Sequence, residues 1–206
     1  MGPKALGRTI IRLPNSEISL EMMTEIRLHG RGGQGVVSAS RLIAEAAILE
    51  GKYVQAFPEF GAERSGAPIA AYARLSDEPI EIHSFIYNPS VVVVVDRSMA
   101  TSENTISGLS KDGSFICNFD GLPSEVRAKL HLGEGVRAFA VDATGVALKS
   151  LGKDFPNTPM MGALVKATQV VSLESMGKAM SNRFKGPVQA SNAEALKLGY
   201  EGVKNG

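Results

Sequence analysis

The chain has 206 residues, 44% of them hydrophobic and 21% charged, a length and balance that support a buried core and exclude a disordered or low-complexity chain. Its formal net charge is +1, with Lys and Arg scattered along the sequence, which excludes an electrostatic footprint for nucleic acid or an anionic membrane. One cysteine, Cys117, and three dispersed histidines, His29, His83 and His131, do not supply the roughly three or four ligands of an iron–sulfur cluster or structural zinc site.

A single cysteine also admits no intrachain disulfide, in keeping with a reducing cytoplasm; within GSFICNF it reads as a buried strand residue. No apolar run approaches the roughly 18 to 20 residues that cross a bilayer. The first residues lack the continuous apolar stretch of a secretory signal. Residues 1–23 are therefore expected to be an N-terminal extension, with Met22 and Met23 as alternative starts, and residues 24–206 a single domain.

In chain order, TEIRLH at 24–29 alternates apolar and polar residues and predicts a strand that runs straight into glycines. The following VVSASRLIAEAAILEGK places Val36, Ser40, Ile43, Ala47 and Glu50 near helical spacing, with Gly51 as a stop. YVQAF at 53–57 predicts a second strand ended by Pro58. After the loop PEFGAERSGAP, IAAYARL and IEIHSF predict the two arms of a hairpin.

Five consecutive valines at 91–95 suit a strand buried on both faces and therefore mid-sheet. SFICNF and VRAFAVDA predict further strands, with helices at SEVRAKL between them and ATGVALKSLG after. From Asn157 only helices are expected: TPMMGALVKATQVVS, capped at Thr158 with Pro159 in its first turn, then LESMGKAMSNRF and NAEALKLGYEGV, with a frayed KNG end. Met160, Leu164 and Ala167 of the first would pack on the sheet. The alternation predicts a three-layer α/β fold: a mostly parallel mixed sheet with helices on both faces, a Rossmann-like opening βαβ unit and a C-terminal helical cover.

The stretch GRGGQG holds four glycines in six positions, and Gly30, Gly32 and Gly35 match G-x-G-x-x-G. Placed after a strand and before a helix, such a turn lets an anion approach the unpartnered amides of the helix N-terminus. Close packing of the turn is the competing role for the same glycines. Arg31 can pair with an anion or bond loop carbonyls, and Gln34 has the same two options. Parallel strands place their C-terminal ends together, so the loop holding Glu59, Glu63, Arg64 and Ser65 should neighbour the glycine turn. An ordinary dinucleotide site wants an acid about 20 positions on, and Glu59 comes late, after Pro58. Asp96, ending the valine strand, is expected to cap the next helix, and His29 to be a capping or core residue. Neither a hydrolytic triad nor a metal-ligand pair is present in the pattern.

The blocks running from Gly30 to Ile80, together with VVVVVD, NTPMMGALVKA and LGYE, resemble the gamma subunit of pyruvate:ferredoxin oxidoreductase and related 2-oxoacid:acceptor oxidoreductases over about residues 24–202. The resemblance implies a cytoplasmic complex of anaerobic metabolism that oxidatively decarboxylates a 2-oxoacid with coenzyme A, yielding acyl-CoA, carbon dioxide and reduced ferredoxin. It implies alpha, beta and delta partner subunits, which hold the thiamine diphosphate and the iron–sulfur clusters, and ferredoxin as acceptor. The EFGAERSGAP wording is closest to pyruvate and branched-chain members. Coenzyme A is then the expected ligand of this chain, with cofactor-binding candidates Gly30, Arg31, Gly32, Gly33, Gln34, Gly35, Glu59, Arg64 and Ser65. A scaffold subunit without ligand contact and an independent nucleotide-binding oxidoreductase remain the alternatives.

Overall fold

In the computed structural model, which describes residues 23–59 and 66–206, the first alternating segment forms β1 (Thr24–Arg31) and the alanine-rich run forms α1 (Val36–Leu49). Glu50 ends this helix and Gly51 follows at φ 80°, a left-handed conformation that suits glycine. Next come β2 (Tyr53–Pro58), β3 (Pro68–Ser76), β4 (Val91–Val94) and β5 (Ser114–Asn118). The chain continues with α2 (Pro123–Leu130), β6 (Arg137–Val141), α3 (Ala143–Leu151), α4 (Asn157–Thr168), α5 (Leu173–Arg183), α6 (Gly186–Glu201) and β7 (Lys204–Asn205).

The strands form one seven-stranded sheet in the order β2-β3-β1-β4-β5-β6-β7. β1, β4, β5 and β6 are parallel neighbours, whereas β3 and β7 run against them. β4 is the central strand and its valines are 0–4% exposed, as five β-branched residues in a row require. β3 lies between β1 and β2 and is antiparallel to both. The opening βαβ unit is thus split by one strand, while β1 and β2 still point the same way.

Two expectations about pairing are corrected. β3 hairpins backward onto β2 and not forward onto IEIHSF, because both of its edges are occupied, by β1 and by β2; residues 80–85 carry no strand. The end of the chain is not a frayed turn, since Lys204 and Asn205 pair with Ala140 and Phe139 and close the far edge. Two helix starts also move. α4 begins at Asn157 with Pro156 at its cap position, and Thr158, 3% exposed, donates to Asn192 Oδ1 at 2.9 Å instead of capping. α6 starts at Gly186, before Asn192.

The main core lies between one sheet face and α1, α4, α5 and α6, where Ile26, Leu28, Val91, Val93 and Ile116 meet Leu42, Ile43, Met160, Leu164 and Met176. Each such side chain contributes about 1.5–3 kcal/mol by burial. On the opposite face Val92, Val94, Phe115 and Cys117 pack under Val126 and Leu130 of α2. Burial pushes the Cys117 thiol up to about 12, which leaves it an inert packing group. No helix among the described residues is long and apolar enough to cross a membrane.

Candidate functional site at the glycine turn

Residues 32–35 link β1 to α1 at the edge where the parallel strands end. The Gly32 N–H donates to Ala67 O at 2.9 Å and Gly66 N–H returns a bond to Gly32 O at 3.1 Å, so the end of the 58–68 loop lies beside the turn, as strand direction demands. The glycines divide by task. A Cβ on Gly30 would stand 2.5 Å from Val36 Cγ2, and one on Gly35, at φ 75°, 2.6 Å from Asn157 Nδ2. Close approach of α1 and α4 therefore requires those two. Gly33, at φ 96°, has nothing within 4 Å of such a Cβ and faces open space.

That space is a cleft of ≈570 Å³ lined by Gly32, Gly33, Gly35, Val36–Ser38, Glu59 and Ile69. α1 opens onto it with Gly35 as its cap, no capping side chain and no acidic residue in its first turn. The first bond back into the turn is Ala39 N–H to Gly35 O at 2.8 Å, so the amides of Val36, Val37 and Ser38 have no intrahelical acceptor. Bare donors and the positive end of the helix dipole make the cleft floor attractive to an anion. On the other side of Gly35 a second cavity of ≈470 Å³ opens between the starts of α4 and α6, walled by Phe155, Phe184 and Val188.

Asp96, 7% exposed at the end of β4, anchors the turn from beneath. Gln34 Nε2 donates to its Oδ2 at 2.6 Å while Gln34 Oε1 accepts from the Arg31 amide at 2.8 Å. The Arg31 guanidinium lies 3.4 Å from Asp96 Oδ1 and donates to Ser98 Oγ at 3.0 Å and to Gly66 O at 3.1 Å. Burial alone would raise the Asp96 carboxyl, but the hydrogen bonds from Ser98 and Gln34 and the charge of Arg31 outweigh it and hold the group below its ordinary range. Asp96 is thus an ionised hub, and its expected capping role holds as well, for a 3-10 turn at Arg97–Met99 whose Ser98 N–H it accepts at 3.0 Å.

Of the sequence candidates, Gly32, Gly33, Gly35 and Glu59 line the cleft. Gly30 packs against α1, and the side chains of Arg31 and Gln34 turn inward to Asp96. Arg64 and Ser65, with Glu63, lie outside the described residues. The tie between Asp96 and the turn escaped sequence reasoning because nothing local says that β4 is the neighbour of β1; the one available signal was an acid at the end of the most buried strand.

His29 belongs to a different network on the second sheet face. Its Nε2 accepts from Arg27 Nε at 2.9 Å, and Arg27 Nη2 donates to the carbonyls of Thr105, at 3.1 Å, and Ser107. Burial and the Arg27 charge, opposed by a hydrogen bond to the Thr105 backbone, bring His29 down to about 4. It is a neutral acceptor that fastens β1 to the Thr105 turn.

The sequence model for pyruvate ferredoxin/flavodoxin oxidoreductase matches residues 25–202. The pyruvate synthase subunit PorC of Methanothermobacter marburgensis is 44% identical over 183 residues, covering 89% of this chain and 99% of that protein. The pyruvate/ketoisovalerate oxidoreductases common subunit gamma of Thermococcus kodakarensis is 49% identical over 178 residues, 86% of this chain and 96% of the relative. The crystal structure of pyruvate oxidoreductase subunit PORC from Thermotoga maritima superposes with a TM-score of 0.80 at 44% identity, over 89% of this chain and 98% of that one. The same fold recurs, at 23% identity and a TM-score of 0.68, within a longer polypeptide, covering 87% of this chain and 30% of that one: the 2-oxoglutarate:ferredoxin oxidoreductase of Magnetococcus marinus, solved with 2-oxoglutarate, coenzyme A and succinyl-CoA.

Proposed function

The chain belongs to the pyruvate ferredoxin/flavodoxin oxidoreductase family as a gamma-type subunit, and on that premise we propose that its glycine-turn cleft holds the phosphates of coenzyme A. It would do so for a complex that converts a 2-oxoacid, pyruvate in the first instance, and coenzyme A to acyl-CoA and carbon dioxide, with the released electrons passed to ferredoxin. Thiamine diphosphate and iron–sulfur clusters supply the carbonyl and electron chemistry from the alpha, beta and delta subunits; a lone buried thiol pushed to about 12 is no cluster ligand.

The observation that carries the reading is the open backbone at Gly33 above the uncapped start of α1. Phosphate contacts fall to the amides of Gly33 and Gly35 and of the first turn of α1, the Gly32 amide being taken by Ala67 O. Arg31 and Gln34 act as positioning residues, tying the turn to Asp96, and Glu59 stands at the rim. A charge-assisted hydrogen bond contributes about 1.5–3 kcal/mol and the helix end about 0.3–1 kcal/mol, modest values that suit a co-substrate that must leave as its thioester. The apolar cavity beyond Gly35 gives the uncharged arm of the coenzyme a second wall.

Gly33→Asp and Gly33→Asn share the same backbone strain and bulk and differ in charge, so comparing them in the assembled oxidoreductase isolates the electrostatics of the cleft. The Asp variant should show a KM for coenzyme A about tenfold above that of the Asn variant, equivalent to about 1.4 kcal/mol, with the KM for pyruvate unmoved. Equal KM values for coenzyme A would reject the site. Failure of both variants to assemble would instead assign the turn to scaffolding.

A further inference from the structure

Residues 77–90 join β3 to β4 at the edge of the sheet opposite the glycine turn, without regular secondary structure. A connection of this kind is ordinarily loose and polar, but this one is fastened. Gln55 Nε2 donates to Ile82 O at 2.9 Å, Arg74 Nη2 donates to Phe85 O at 3.2 Å, and Ser90 N–H reaches Glu25 O at 2.9 Å. Ile86, 2% exposed, plugs into the face formed by Ala70 and Tyr72. Arg74 is itself only 1% exposed and is held by Glu25 Oε1 at 2.8 Å and Gln55 Oε1 at 3.0 Å. A buried guanidinium with a full set of partners is thus spent on fixing the backbone of a connecting segment.

What the fastened segment displays is apolar. Ile82 is 45% exposed, Phe85 42% and Tyr87 68%, and Tyr53, on the adjoining edge strand β2, 48%. Beside Phe85 a depression of ≈420 Å³ is lined by Gln55, Phe57 and His83. Large apolar groups gathered on an ordered surface mark an interaction site, and aromatics are enriched at interface centres. The segment itself carries charges of one sign: Asp77, Glu78 and Glu81 are exposed, and residues 75–90 contain no Lys or Arg. A surface already held rigid loses little entropy on docking.

We infer that residues 77–90, with Tyr53, form the docking surface for another polypeptide of the same oxidoreductase, one that presents an apolar ridge flanked by Lys or Arg. The charge pattern selects that occupant over a second copy of this chain, whose identical acidic rim would meet its own sign across a two-fold axis. It also sets the direction of the salt dependence, because a rim of exposed charges is screened within about 8–10 Å at moderate ionic strength. The surface is independent of the coenzyme cleft, which opens at the other end of the strands.

The test uses the whole oxidoreductase, purified anaerobically with its other subunits, and two variants of this chain, Tyr87→Ser and Glu81→Lys. Neither side chain is buried, so thermal unfolding of the separate chain should be unchanged. Tyr87→Ser should weaken retention of this chain by the remaining subunits about tenfold, read as the dissociation constant from dilution or native mass measurement. Glu81→Lys should weaken it severalfold at low salt, and that difference should vanish toward 1 M salt. Dissociation constants within twofold of the unchanged chain for both variants would overturn the proposal. So would loss of self-association by Tyr87→Ser with hetero-assembly intact, which would assign the surface to a second copy. Removal of residues 1–22 provides the last arm: if Tyr87 becomes more reactive to tyrosine-modifying reagents in that variant while Tyr87→Ser leaves assembly unaffected, the patch belongs to the chain's own N-terminal segment and the inference fails.

Discussion

On one face of the β1–β3 pair, Ile26, Leu28, Ala73 and Leu75 pack beneath the helices at 0–2% exposure. On the other, Arg27, Tyr72 and Arg74 are 8%, 7% and 1% exposed, with His29 between them, under residues 77–90 and the turn at Thr105. Depth is nearly the same and chemistry is opposite. The apolar face is held by non-directional burial, which tolerates small shifts. The polar face is held by directed bonds, which fix the irregular segment 77–90 and the short 3-10 turn Glu103–Ile106. The difference shows how a sheet packed under four helices on one side can still present ordered loops on the other.

The largest expected break in this comparison comes from the polar side. Arg74→Ala should cost about 3–5 kcal/mol, because Glu25 and the Phe85 carbonyl lose their buried partner. Leu28→Ala, on the apolar side, should cost about 3 kcal/mol. Chemical denaturation reads both, and limited proteolysis separates them: residues 77–90 should become cleavable in the Arg74 variant and stay resistant in the Leu28 variant. Equal resistance in both would show that Arg74 does not fasten the segment.

A smaller effect should appear with pH. His29 falls from 6.5 to about 4 on folding, so the folded protein binds its proton less readily than the unfolded chain does. The stability due to the neutral imidazole is complete above pH 6.5 and is lost as the pH drops toward 4, by about 3 kcal/mol in all. Carboxylates titrate in the lower half of that window, so the useful quantity is the difference from His29→Gln, which keeps an acceptor for Arg27 without taking up a proton. The variant should lose less stability between pH 7 and pH 4.5 than the unchanged chain. Identical losses would place no stability in the His29–Arg27 contact.

The two faces also explain what the sequence made legible. Alternation in TEIRLH and the valine run identified β1 and β4 because burial on one face or both leaves a periodic trace. The same reasoning paired IEIHSF with β3, since Ile80 and Ile82 alternate with Glu81 and His83 as a strand would; the real partner of β3 was set by the register of β2, a tertiary choice with no local signature. β7 was missed because two residues carry no period. At the site, the glycine turn and its place before α1 were readable, and so was the proximity of Glu59. The inward turn of Arg31 and Gln34 was not, because it depends on Asp96 arriving from β4, 62 residues beyond Gln34.

The central claim is that the amides of Gly33, Gly35 and Val36–Ser38 are kept free to receive the phosphates of coenzyme A. Amide hydrogen exchange of the intact oxidoreductase, followed peptide by peptide with and without saturating coenzyme A, addresses it most directly. The account predicts slowed exchange in peptides spanning residues 30–40, with 77–90 unchanged. Unaltered exchange across residues 30–40 at saturation would contradict it.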